Sequence, residues 1–116
     1  MQSANLYVCP SDASRQASSY SSNGLLAPEP PHDGICPGIS AAVIRSPSST
    51  VLFCEAADNA QGGSDDGWLR VGKGANPLTR RHNRGGNFVF CDGHVLWLKP
   101  AEAPFPNPDG AVRFEP

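Results

Sequence analysis

The chain has 116 residues, with 9 basic and 11 acidic side chains, a net charge of −2, 12 glycines and 12 prolines. That length supports one domain with a modest core, and so much glycine and proline favours irregular loops over long helices. The small, mixed charge gives no field suited to nucleic acid or an acidic membrane surface. No apolar run approaches a membrane span, and there is no secretory signal or lipidation motif.

In chain order, residues 5–9 form the first strand candidate, stopped at Pro10 because proline donates no ladder hydrogen bond. Residues 11–22 are serine-rich with thin apolar periodicity, which predicts coil with a short helix capped by Ser11 or Asp12. Asn23-Gly24 and the prolines 28, 30, 31 and 37 predict a surface loop over 23–37. Residues 39–45 and 50–55 are both strand-like and are separated by Ser46-Pro47-Ser48-Ser49, four residues of turn chemistry, which predicts a hairpin. The loop 56–67 carries three Asp and one Asn and invites a calcium reading. Its spacing lacks the alternating acidic positions of an EF-hand, so a solvated loop is expected. Residues 67–72 predict a short strand, and 73–79 a further loop.

Asp92-Gly93 lies between two apolar runs and predicts a two-residue type I′ hairpin turn. Counting outward places Cys91 opposite His94, Phe90 opposite Val95, Val89 opposite Leu96 and Phe88 opposite Trp97. Both faces of that ribbon are mostly apolar, so it is expected inside the domain, with Trp97 in the core. Gly85-Gly86 would let the chain enter the ribbon tightly. The basic cluster Arg80-Arg81-His82-Asn83-Arg84 reads as a solvated approach to it. Residues 99–116, with four prolines in the first ten, predict an extended tail that wraps the sheet through Phe105 and Phe114. One domain, 1–116, is expected, with no internal repeat.

The four cysteines, Cys9, Cys36, Cys54 and Cys91, have none of the close spacings of a zinc knuckle or a redox pair. Disulfides are expected instead, with Cys9–Cys36 and Cys54–Cys91 the favoured pairing among three. They would stabilise a small, loop-rich domain by about 2–4 kcal/mol each. For chemistry, His82, Asp92 and His94, with Glu55, could supply ligands for zinc or another divalent ion, but the spacing is only permissive. The preferred expectation is structural: Asp92 and Gly93 make the turn, and His82 bonds turn backbone or the Asp92 carboxylate. Cys9 as a nucleophile with His32 or His82 is a less simple reading than a disulfide. No G-x-S-x-G elbow, dinucleotide fingerprint or P-loop is present.

Three collinear segments carry a family likeness. They are Cys9-Pro10-Ser11-Asp12 with Ser19-Tyr20-Ser21-Ser22-Asn23-Gly24, then Pro47 through Glu55, then His82 followed after nine residues by Asp92-Gly93. From Cys9 to about Leu98 the chain resembles the prepilin-type, processing-associated H-X9-DG family of pseudopilin-like proteins. The resemblance implies a mainly β globular head with a small antiparallel sheet and long loops, α+β if the apolar N-terminal helix of that class is counted. It implies a non-catalytic structural subunit of a type IV pilin-like filament or a type II secretion pseudopilus, at the bacterial surface or in the periplasm. Partners would be copies of itself, other pilin-like subunits or a separate helix chain, with membrane contact only through a helix outside this chain. No cofactor is expected, calcium in the acidic loop being the exception that some pseudopilins suggest. Two other classes remain open: a secreted carbohydrate- or protein-binding module using Trp68 or the loops, and a metal-dependent hydrolase using His82, Asp92 and His94.

Overall fold

The computed structural model describes residues 8–12, 19–26, 38–55, 68–69, 78–104 and 111–116. It is mainly β, as expected. The strands are β1 (Tyr20–Asn23), β2 (Val51–Glu55), β3 (Trp68–Leu69), β4 (Gly86–Phe90) and β5 (Val95–Leu98), with short 3-10 helices at Ala41–Val43 and Pro100–Glu102. The sheet order is β3-β1-β2-β4-β5. Strands β1, β2, β4 and β5 pair antiparallel, and the two residues of β3 add to β1 in parallel. Among the described residues no helix is long and apolar enough to cross a membrane.

The hairpin at Asp92-Gly93 forms, but its register differs from the expected one by one residue. Val89 faces Val95, Phe88 faces Leu96 and Asn87 faces Trp97. The Gly93 N–H donates to Phe90 O at 2.9 Å, and the Phe90 N–H to His94 O at 2.9 Å. Only Gly93, at φ +93°, adopts the left-handed region there. The loop is therefore three residues, Cys91-Asp92-Gly93, a turn followed by one glycine in positive φ. The two-residue turn with both central φ values positive occurs elsewhere, at Asn83 (51°) and Arg84 (68°). It is closed by reciprocal hydrogen bonds between His82 and Gly85 at 3.1 and 3.0 Å.

This register sorts the side chains. Phe88 and Phe90 turn to the inner face, where Val51, Cys54, Leu78, Ala103 and Phe114 complete the buried core. Each such aromatic or aliphatic side chain contributes about 1.5–3 kcal/mol by leaving water. Phe90 also stacks on the His94 ring at 4.3 Å between centroids. Trp97 belongs to the other face and is exposed, not core, and β5 is an edge strand, so the ribbon is not enclosed on both sides. The glycine pair is close-packed as expected. A Cβ on Gly85 would lie 2.6 Å from Leu98 O and 2.7 Å from the Trp97 ring, and one on Gly86 2.5 Å from Thr79 Cγ2.

Other expectations are corrected. Residues 20–23 are a strand rather than part of a helix-bearing coil. The polar run Tyr20-Ser21-Ser22-Asn23 is held by its pairing with β2 and by the buried Asn23 amide, which donates to Val51 O at 2.8 Å and to Phe114 O at 2.6 Å. Residues 39–45 contain a 3-10 helix, not a strand. Ser40 Oγ accepts from Ala42 N–H at 3.3 Å and caps it, and no residue of that helix is buried, so no hairpin with β2 forms. The turn over Ser46–Ser49 is present, with Ser49 and Thr50 N–H both donating to Ser46 O. Val8 and Cys9 are not in a strand. The tail turns at Pro100–Glu102 before Phe114 is buried and Arg113 bridges Thr50 in parallel. Residues 5–7, the acidic loop 56–67, residues 70–77 and Phe105 lie outside the described residues.

Cys9, Cys54 and Cys91 are free thiols, so neither expected disulfide is made, and Cys36 lies outside the described residues. Strand register explains the Cys54–Cys91 case. Cys54 sits opposite Phe88, whereas the Cys91 N–H donates to Thr50 O, beyond the Val51–Phe90 pair. Several strand residues at about 3.3 Å each separate them, too far for the roughly 7 Å limit on bridged Cα atoms. Burial pushes the Cys54 thiol up, with the Glu55 charge adding to it; Cys91 is raised by burial and then by Asp92. Both are kept as neutral thiols.

Candidate functional site

A polar cluster forms on the outer face of the sheet, at the end of β2 away from the hairpin tip. Its centre is Glu55, the last residue of β2, whose side chain is 2% exposed. Alternation along β2 points Phe53 and Glu55 to the same side, opposite Cys54. Glu55 Oε2 accepts from Asn87 N–H at 2.7 Å and from Asn87 Nδ2 at 3.1 Å, which fixes the carboxylate plane. Its other oxygen, Oε1, lies 2.8 Å from His82 Nε2.

His82 is delivered by the tight Asn83-Arg84 turn. Arg84 holds positive φ without being glycine, a local strain of about 1–2 kcal/mol. The His82 carbonyl also accepts from Trp97 Nε1 at 2.8 Å, which ties the turn to β5. Cys9 arrives from the other side. Pro10 and Ser11 form a turn closed by Asp12 N–H to Cys9 O at 2.9 Å, and Cys9 Sγ lies 3.3 Å from His82 Nε2. The ligating atoms of Cys9, Glu55 and His82 all lie within 4.8 Å of one another.

A second layer holds these groups. Cys9 N–H donates to Ser19 Oγ at 2.8 Å, Ser19 Oγ donates to Asp12 Oδ2 at 2.7 Å, and Arg81 Nη2 pairs with the same Oδ2 at 3.2 Å. Arg81 is thus buried and paired, while Arg80 and Arg84 remain exposed, so the basic cluster is not wholly a solvated approach. Tyr20 pairs with Glu55 across β1 and β2. Burial pushes its phenol up, with the Cys9 and Glu55 charges adding and Arg81 opposing.

The geometry argues against a thiol nucleophile. A carboxylate can only accept, so the His82 nitrogen facing Glu55 carries the proton. The same nitrogen faces Cys9 and cannot take the thiol proton, whereas a relay sets nucleophile and acid on opposite ring nitrogens. What remains is a convergent sulfur, nitrogen and oxygen donor set with one solvent-facing side, since His82 is 31% exposed.

The other expected site residues lie apart from this cluster. Asp92 and His94 are at the hairpin tip, several strand residues and more than about 10 Å from His82. His82 therefore bonds neither the turn backbone there nor Asp92, and the set His82, Asp92, His94 cannot close on one ion. Asp92 instead accepts from the His94 N–H at 3.1 Å and pairs with the His94 imidazole. The backbone donor first, and the imidazole second, hold the Asp92 carboxyl below the ordinary carboxylate range. A depressed folded pKa stabilises above the unfolded value of about 3.9 and loses that contribution as pH falls through the folded value. His94→Ala removes the imidazole but keeps the backbone donor, so the Asp92 carboxyl should move only part of the way back. An NMR titration of its side-chain carbon checks this, and full return would show that the imidazole dominates.

Spacing could not have revealed the cluster, because Cys9 and Glu55 stand 73 and 27 residues from His82. The signal available was the set of separate segments carrying the family likeness, since Cys9, Asp12, Ser19, Glu55, Arg81 and His82 all fall within or beside them. No protein-family model, curated protein or solved structure matches the chain.

Proposed function

We propose that this domain is a non-catalytic assembly subunit, the globular head of a pilin-like filament or secretion pseudopilus acting outside the cytoplasm, and that its partner is another subunit of the same class. The observation that carries the reading is an apolar row across the outer face of the sheet. Phe53 on β2 pairs with Val89 on β4, which pairs with Val95 on β5. Phe53 is 37% exposed and Val95 55%, and Trp97, next on the same face, is 42% exposed. Apolar side chains aligned on three neighbouring strands make a contiguous patch of the kind that marks a protein contact. The edge of β5 adds main-chain groups able to pair with another chain. The resemblance over Cys9 to Leu98 supplies the filament class and the extracellular or envelope location. The convergence of its separate segments in one buried polar cluster supports treating them as parts of one design.

Sedimentation velocity over a range of concentrations tests the reading. Wild type should self-associate, and Val95→Lys, which leaves the core untouched, should weaken association at least roughly tenfold, the equivalent of about 1.4 kcal/mol. A wild-type protein that stays monomeric throughout would remove this function. Exposed Trp97 favours a second reading, a carbohydrate-binding module, because its indole could stack on a sugar ring. Glycan binding by a monomer, lost in Trp97→Ala, would decide for that reading.

A further inference from the structure

We propose that Cys9, Glu55 and His82 form a zinc site, with the fourth position open to solvent on the His82 side. The inference is independent of the assembly reading. The donor set is one thiol sulfur, one imidazole nitrogen and one carboxylate oxygen. Sulfur and imidazole suit zinc, whereas calcium and magnesium take oxygen ligands throughout.

The distances fit a small tetrahedral ion. Zinc bonds of about 2.0 Å to nitrogen and oxygen and about 2.3 Å to sulfur give N···O and N···S edges of roughly 3.3 and 3.6 Å. The observed edges, 2.8 Å from His82 Nε2 to Glu55 Oε1 and 3.3 Å from Nε2 to Cys9 Sγ, need to open by only a few tenths of an ångström. Zinc would bind His82 at Nε2 as the neutral tautomer, the ring proton moving through solvent from Nε2 to Nδ1, and the Cys9 thiol would lose its proton to solvent. The charges balance. A thiolate and a carboxylate cancel the dication, so the buried site becomes neutral and avoids the cost of an uncompensated charge.

The supporting shell is also in place. Glu55 is oriented by two hydrogen bonds from Asn87, the Cys9 backbone is tied to Ser19, and the His82 carbonyl is tied to Trp97. Such outer contacts fix ligand direction before the ion arrives. The ion would join the Cys9 turn, the end of β2 and the Asn83-Arg84 turn at one point, in a domain whose described cysteines form no disulfide. It would act as the cross-link that the cysteines do not provide.

The test uses the whole chain and zinc alone. Wild type should hold a single zinc per chain against a weak chromophoric chelator and unfold at a higher temperature with zinc than after metal removal. X-ray absorption at the zinc edge should show one sulfur among nitrogen and oxygen neighbours, a readout that needs no variant. Cobalt(II) in place of zinc should give a thiolate charge-transfer band. Cys9→Ser should lose that band and weaken zinc at least roughly tenfold, while Cys91→Ser and His94→Ala should change neither. Absence of stoichiometric zinc in wild type, a sulfur-free coordination shell, or loss of the ion in Cys91→Ser but not in Cys9→Ser would each overturn the assignment.

Discussion

Arg81→Met should destabilise the domain by about 3–5 kcal/mol, read as a fall in the midpoint of chemical denaturation. The side chains of Arg81 and Asp12 are 3% and 1% exposed and meet at 3.2 Å. Removing the guanidinium takes away the countercharge 3.2 Å from the buried Asp12 carboxylate, and Ser19 Oγ, which donates to the same oxygen, is neutral. The cost is that of a buried charge losing an ion-pair partner, which makes it testable. Asp12→Asn keeps an oxygen for Ser19 and removes the charge, so the double variant D12N/R81M should be more stable than Arg81→Met alone. A double variant at least as unstable as the single one would show that packing of the Arg81 stem, not charge, sets the effect. Because Arg81 adjoins His82, the single variant should also loosen the contact between His82 and Cys9.

Phe88→Ala should cost about 3–5 kcal/mol, the range for emptying a large buried aromatic site, whereas Trp97→Ala should cost only about 1–2 kcal/mol. Phe88 lies in the core with Val51, Leu78, Phe90, Ala103 and Phe114. Trp97 is half-exposed, rests against Gly85 and gives one hydrogen bond to the His82 carbonyl. A two-residue loop at Asp92-Gly93 would have set these two side chains opposite each other on one face. The three-residue loop sets them on opposite faces, so their effects should add within about 0.5 kcal/mol. A coupling energy well above that in denaturant titrations of the single and double variants would restore the two-residue register.

The elements most legible in the sequence were β2, β4 and β5, where β-branched and aromatic residues flank turn chemistry; the strands were legible there, but not the partners of β2 or the β4–β5 register. The single-residue error in register came from letting the Asp92-Gly93 dipeptide decide the loop length. Only the glycine needs positive φ, and Asp92 serves by accepting from His94. Strand β1 was illegible because only Tyr20 of its four residues favours a strand; the neighbouring strand and the Asn23 amide impose it. Residues 39–45 misled in the opposite direction, with strand-like composition but no partner to pair with. The even cysteine count suggested two bridges, of which strand register forbids Cys54–Cys91, while Cys9 is a free thiol. The polar cluster was the least legible part, since its members meet only after the sheet has brought three distant segments together.

The burial of Phe114 carries a consequence for how the chain can be made. Val51 donates to Arg113 O, Arg113 donates to Ser49 O, and Asn23 reaches Phe114 O, so both the first strand and the second depend on residues near position 114. During vectorial synthesis these partners emerge long after β1 and β2. A nascent chain halted before them holds the Val51 N–H without its acceptor, the Asn23 amide with only one of its two carbonyls and the Ser49 carbonyl without its donor, and the hydrophobic centre of the domain closes only when Phe114 has left the ribosome.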